Sequence, residues 1–80
     1  MRRNRSTTQA ARMLEHAVRL ATRMASNSMS GNTTGKLVRD LQGYVELLKR
    51  YEERGEIEKF YKVLRNAQMK LLKLVRRLLH

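Results

Sequence analysis

The sequence predicts an all-α fold, three amphipathic helices forming one domain over residues 1–80. Three observations predict it. Apolar residues recur at spacings of three and four along most of the chain. The 80 residues contain no proline and only four glycines, too little turn chemistry for a sandwich or barrel. Small polar residues gather without periodicity only once, in NSMSGNTT.

The first helix is expected at about residues 7–26, behind a flexible basic arm at 1–5. Ser6-Thr7-Thr8-Gln9 has capping-box form, a hydroxyl followed three residues later by an amide that can reach back. Leu14, Ala17, Val18, Ala21 and Ala25 follow on one helical face, with Met13, Leu20 and Met24 widening the stripe. Glu15 stands four residues before Arg19, the better orientation for a helical ion pair.

The second helix is expected at about 34–54, capped by Thr33 or Thr34. Its stripe is Leu37, Val38, Leu41, Tyr44, Val45, Leu48 and Tyr51. Gly55 stands where a left-handed residue ends a helix. The third, at about 56–79, carries Ile57, Phe60, Tyr61, Leu64, Ala67, Leu71, Leu74, Val75 and Leu78. A lone glycine costs only ~1 kcal/mol inside a helix, so Gly55 fits either a hairpin or one continuous helix. The hairpin, within an antiparallel bundle, is the favoured reading. A continuous helix would have to dimerise to cover its stripe. A homodimer is the expected assembly, because so short a chain buries a limited core alone.

The stretch SGNTTGKL resembles a phosphate-cradling loop but fails each requirement of one. Only three residues separate Gly31 from Gly35, Leu37 follows Lys36 where a magnesium-binding hydroxyl is needed, and the preceding segment is helical in pattern. It reads as a turn between helices. Other catalytic patterns are equally thin. His16 and His80 are the only histidines and Asp40 the only aspartate. Glu46, Glu52, Glu53, Glu56 and Glu58 read as a solvated, ion-paired surface rather than a metal site. With no cysteine, disulfides and thiolate chemistry are excluded. The expectation is a protein that is not an enzyme and holds no cofactor.

Charge is the dominant signal. Eighteen Lys and Arg against seven Asp and Glu give +11, which points to an anionic partner. The excess lies at the two ends. Residues 1–36 carry seven cations against Glu15, and residues 59–80 carry seven cations and no acid. Residues 37–58 carry four basic and six acidic groups. Arg12, His16, Arg19 and Arg23 share one helical row, and Lys62, Asn66, Lys70, Lys73 and Arg77 share another. In a bundle, the two rows could lie on one surface.

Exposed aromatics serve single-strand binders as stacking platforms. Here Tyr44, Tyr51, Phe60 and Tyr61 fall on or beside apolar stripes, where core packing is expected. A rigid basic surface without stacking groups suits a duplex, read through phosphates and groove shape.

The runs LEHAVRLATRMASNS and KLVRDLQGYVELLKR, with their A-V-x-x-A and V-R-D-L-x-x-x-x-x-L-x-K spacings, resemble the helical RNA-silencing suppressors of nodaviruses. The resemblance covers residues 14–50. It implies a small dimer of antiparallel helices whose basic face lies along double-stranded RNA and shields it from processing enzymes. It adds Arg39, Lys49 and Arg50 to the candidate contacts. The acid-free third helix and the Arg-rich start depart from that family's pattern.

The expected function is therefore binding of double-stranded nucleic acid, RNA preferred. The candidate contacts are Arg5, Arg12, Arg19, Arg23, Lys36, Arg39, Lys49, Arg50, Lys62, Lys70, Lys73 and Arg77. Two alternatives stand beside it. KVLRNAQMKLLKLVRRLL has the composition of a cationic helix that lies on anionic membranes, and the bundle could instead be a structural module facing an acidic protein. No apolar run reaches the ~18 residues of a membrane span, and MRRNRSTTQAARM lacks a secretory apolar core. The expected location is cytoplasmic.

Overall fold

The computed structural model describes residues 5–27 and 32–79 and is all-α. Helix α1 spans Arg5–Asn27, α2 spans Asn32–Arg54 and α3 spans Ile57–Leu79. Each has 23 residues, about 34 Å at 1.5 Å per residue. Each helix packs against both others, giving an elongated body of 45 × 16 × 15 Å.

The helices follow the apolar periods. Leu14, Val18 and Ala21 of α1 are buried, with Leu37, Leu41, Val45 and Leu48 of α2 and Phe60, Leu64, Ala67 and Leu74 of α3. Tyr44 and Tyr51 pack half-buried against this core. Thr7 and Thr34 are buried as well. Thr34 lies three residues before Leu37, so its methyl continues the α2 stripe.

Gly55 breaks the chain into a hairpin. Its φ is 72°, the left-handed region that a Cβ disfavours. The Glu56 N–H donates to the Tyr51 carbonyl at 2.9 Å, and the Gly55 N–H to the Glu52 carbonyl at 3.1 Å. These are the two bonds of a Schellman motif, which satisfies carbonyls orphaned at a helix end. The Glu56 carbonyl in turn accepts from the Phe60 N–H at 3.0 Å, opening α3. Asp40 and Lys70, fifteen residues on either side of Gly55, meet at 3.1 Å, so α3 folds back along α2. The continuous helix is excluded, and with it the need for a second chain to cover a long shared stripe.

Three expectations change. The α1 and α2 helices begin two residues earlier than their patterns suggest. Ser6 and Thr34 therefore sit inside the first turns, not ahead of them. SGNTTGKL, expected as a turn, is helical from Asn32 onward; residues 28–31 lie outside the described residues. Met13, Leu20, Met24 and Tyr61, expected on buried stripes, are substantially exposed. The apolar stripes of α1 and α3 are wider than the arc that two neighbours can cover.

Candidate nucleic-acid interface

The rotation of each helix about its axis decides where its cations point, and two ion pairs mark it. Lys49 Nζ of α2 lies 2.7 Å from Glu15 Oε2 of α1. Lys70 Nζ of α3 lies 3.1 Å from Asp40 Oδ2 of α2. Asp40 and Lys49 are nine residues apart, about two and a half helical turns. They stand on opposite sides of α2, one facing α3 and the other facing α1.

The α1 row falls on the Lys49 side. Arg19 and Arg23 line a groove with Gln42, Val45 and Glu46 of α2. Arg12 lines its continuation with Lys49, Glu52 and Glu53. The cations of this flank are Arg12, Arg19, Arg23 and Lys49, and its carboxylates are Glu15, Glu46, Glu52 and Glu53. Four charges of each sign cancel, so the whole +11 is carried by the rest of the chain. The hydrogen bond from Lys49 holds the Glu15 carboxyl below its ordinary range; partial burial opposes this, and the charges of Lys49 and Arg19 add to it. The same hydrogen bond raises Lys49, helped by the charges of Glu15 and Glu46.

The α3 row falls on the Asp40 side. Asn66 and Lys73 stand one turn before and after Lys70, with Lys62 and Arg77 two turns away. Lys62, Lys73 and Arg77 are exposed. On α2, Lys36 stands one turn before Asp40, and Arg39 and Arg50 occupy the outward crest, all exposed. Glu46 and Glu53 stand one turn either side of Lys49, and the same spacing sets them one turn either side of Arg50 on the crest.

The two basic rows therefore border different grooves, one on each side of α2, and the row of Arg12, Arg19 and Arg23 faces acids from the middle of the chain. Lys49 is engaged in holding α1 to α2. Arg5 opens α1, but its side chain, like residues 1–4 of the expected arm, lies outside the described residues. The cations brought together are Lys36, Arg39, Arg50, Lys62, Lys70, Lys73 and Arg77, on the α2–α3 flank. Arg54 joins them and was missed by the sequence reasoning, because it lies within an acidic middle segment. Its signal is its spacing: it stands eighteen residues, or about five full turns, from Lys36. Lys59, on the same side of α3, pairs with Glu56 at 3.3 Å. Among the described residues, no three acidic or histidine side chains converge to hold a metal ion.

The sequence matches no family model, and no curated protein or solved structure is significantly similar to it.

Proposed function

We propose that the chain binds double-stranded nucleic acid, RNA preferred, through the α2–α3 flank. The supporting observation is the uneven charge balance about α2. The α1–α2 flank is neutral, while the α2–α3 flank sets Lys36, Arg39, Arg50 and Arg54 beside Lys62, Lys70, Lys73 and Arg77, with Asp40 paired to Lys70 and Glu46 and Glu58 at its margins, one turn from Arg50 and Lys62. Lys36 to Arg54, like Lys59 to Arg77, runs about 27 Å along its helix. Two such rows can follow the phosphates bordering an A-form minor groove without reading bases. The arginines would make the stronger contacts, since a guanidinium fork pairs with a phosphate bidentately.

The resemblance to nodavirus suppressors supports RNA as the duplex and shielding from processing enzymes as the outcome. On this reading Arg39 and Arg50 remain contacts, while Arg12, Arg19, Arg23 and Lys49 leave the interface. A gel-shift series with duplex RNA, duplex DNA and single strands tests the proposal. Duplex RNA should shift at the lowest protein concentration. Equal or tighter binding of single strands would overturn it.

A further inference from the structure

A second surface lies on the side of the bundle away from α2. Met24 of α1 stands nine residues from Glu15, the side chain that marks the α2 side of its helix. Tyr61 of α3 stands nine residues from Lys70, which marks the α2 side of its own. Nine residues is about half a turn round, so both point to the face that α1 and α3 share. Met13 and Leu20 stand with Met24, and Leu72 and Leu79 with Tyr61. All six are exposed, from 44% at Tyr61 to 73% at Leu79. Exposed large apolar side chains gathered on one face mark an interaction surface.

Charge identifies its occupant. Arg65 stands one turn after Tyr61 and Arg76 one turn after Leu72, both exposed. On α1, His16 sits one turn from both Met13 and Leu20. Glu58 is the acid nearest this face on α3. A second copy seated here would bring another +11 chain against one already at +11, with Arg65 and Arg76 at the rim of the contact. A layer of anionic headgroups would accept the apolar side chains and neutralise the rim together. No described helix is long and apolar enough to cross a membrane, so the contact is one of lying on the surface.

We propose that the α1–α3 face docks on anionic lipid bilayers, with Met13, Leu20, Met24, Tyr61, Leu72 and Leu79 entering the headgroup region. The proposal is independent of duplex binding, which uses another flank. The chain has no tryptophan, so an introduced indole reports without background. Leu72→Trp should shift its emission to the blue on phosphatidylglycerol–phosphatidylcholine vesicles and not on phosphatidylcholine alone. Gly43→Trp, on the outward side of α2 where a Cβ meets nothing within 4 Å, should not shift on either. The charge-neutral pair Leu20→Gln and Leu72→Gln should weaken co-sedimentation with the anionic vesicles roughly tenfold or more, while duplex RNA affinity stays unchanged. An unshifted Leu72→Trp emission, or an equal shift of Gly43→Trp, would overturn the proposal. So would light scattering without lipid that gives twice the chain mass, reduced to one by the glutamine pair, because the face would then belong to a second copy.

Discussion

Lys49 Nζ meets Glu15 Oε2 at 2.7 Å across the α1–α2 groove, which makes a residue expected on nucleic acid a fastener between helices. Both side chains are partly exposed, so the stabilisation is small. Its pH dependence follows from Glu15. That carboxyl is held below its ordinary range, so its contribution is present above about pH 4.3, the usual glutamate value, and fades as pH falls through the lowered one. Glu15→Gln should lower the urea midpoint at pH 7 and lose that effect near pH 3. Lys49→Met should lower the midpoint at pH 7 and leave duplex affinity unchanged.

Glycines of α2 and its turn should respond in opposite directions. Gly55→Ala places a Cβ at φ 72° and should destabilise by about 1–2 kcal/mol. Gly35→Ala and Gly43→Ala add a Cβ that meets nothing within 4 Å. Each should stabilise by about 0.5–1 kcal/mol through helix propensity. Thermal melts followed by far-ultraviolet circular dichroism check all three.

Phe60 is fully buried beside Tyr61, their rings edge to face at 5.4 Å. Phe60→Ala should cost about 3–5 kcal/mol, a large share of the ~4–12 kcal/mol expected of a chain this size. Denaturant titration should give a much lower midpoint, or a chain largely unfolded without denaturant.

The helices were legible because their signals are local. Leu37, Leu41, Val45 and Leu48 repeat at helical spacing whatever the chain packs against, and Gly55 carries its turn chemistry in one residue. The candidate interface was only half legible. Whether Arg19 and Lys73 share a face depends on which neighbour lies on which flank of each helix, and that is set by core packing between residues distant in sequence; the pairs Glu15 with Lys49 and Asp40 with Lys70 mark the outcome. Rotation also decides which edge of a wide apolar stripe is covered. In α1 it buries Leu14, Val18 and Ala21 and leaves Met13, Leu20 and Met24 outside. Acids of the middle segment looked remote from the N-terminal cations along the chain, yet Glu46 borders the same groove as Arg19 and Arg23.

The α2–α3 flank is tested most directly by neutralising the two rows separately and measuring duplex RNA affinity against salt. Replacing Arg39, Arg50, Lys62 and Lys73 together with glutamine should weaken binding. It should also flatten the log–log salt slope by up to about 0.9 for each phosphate that is no longer neutralised. Replacing Arg12, Arg19 and Arg23 with glutamine should leave the slope nearly unchanged. A fall in slope and affinity confined to the α1 triple, or equal for each charge removed in both sets, would contradict the account.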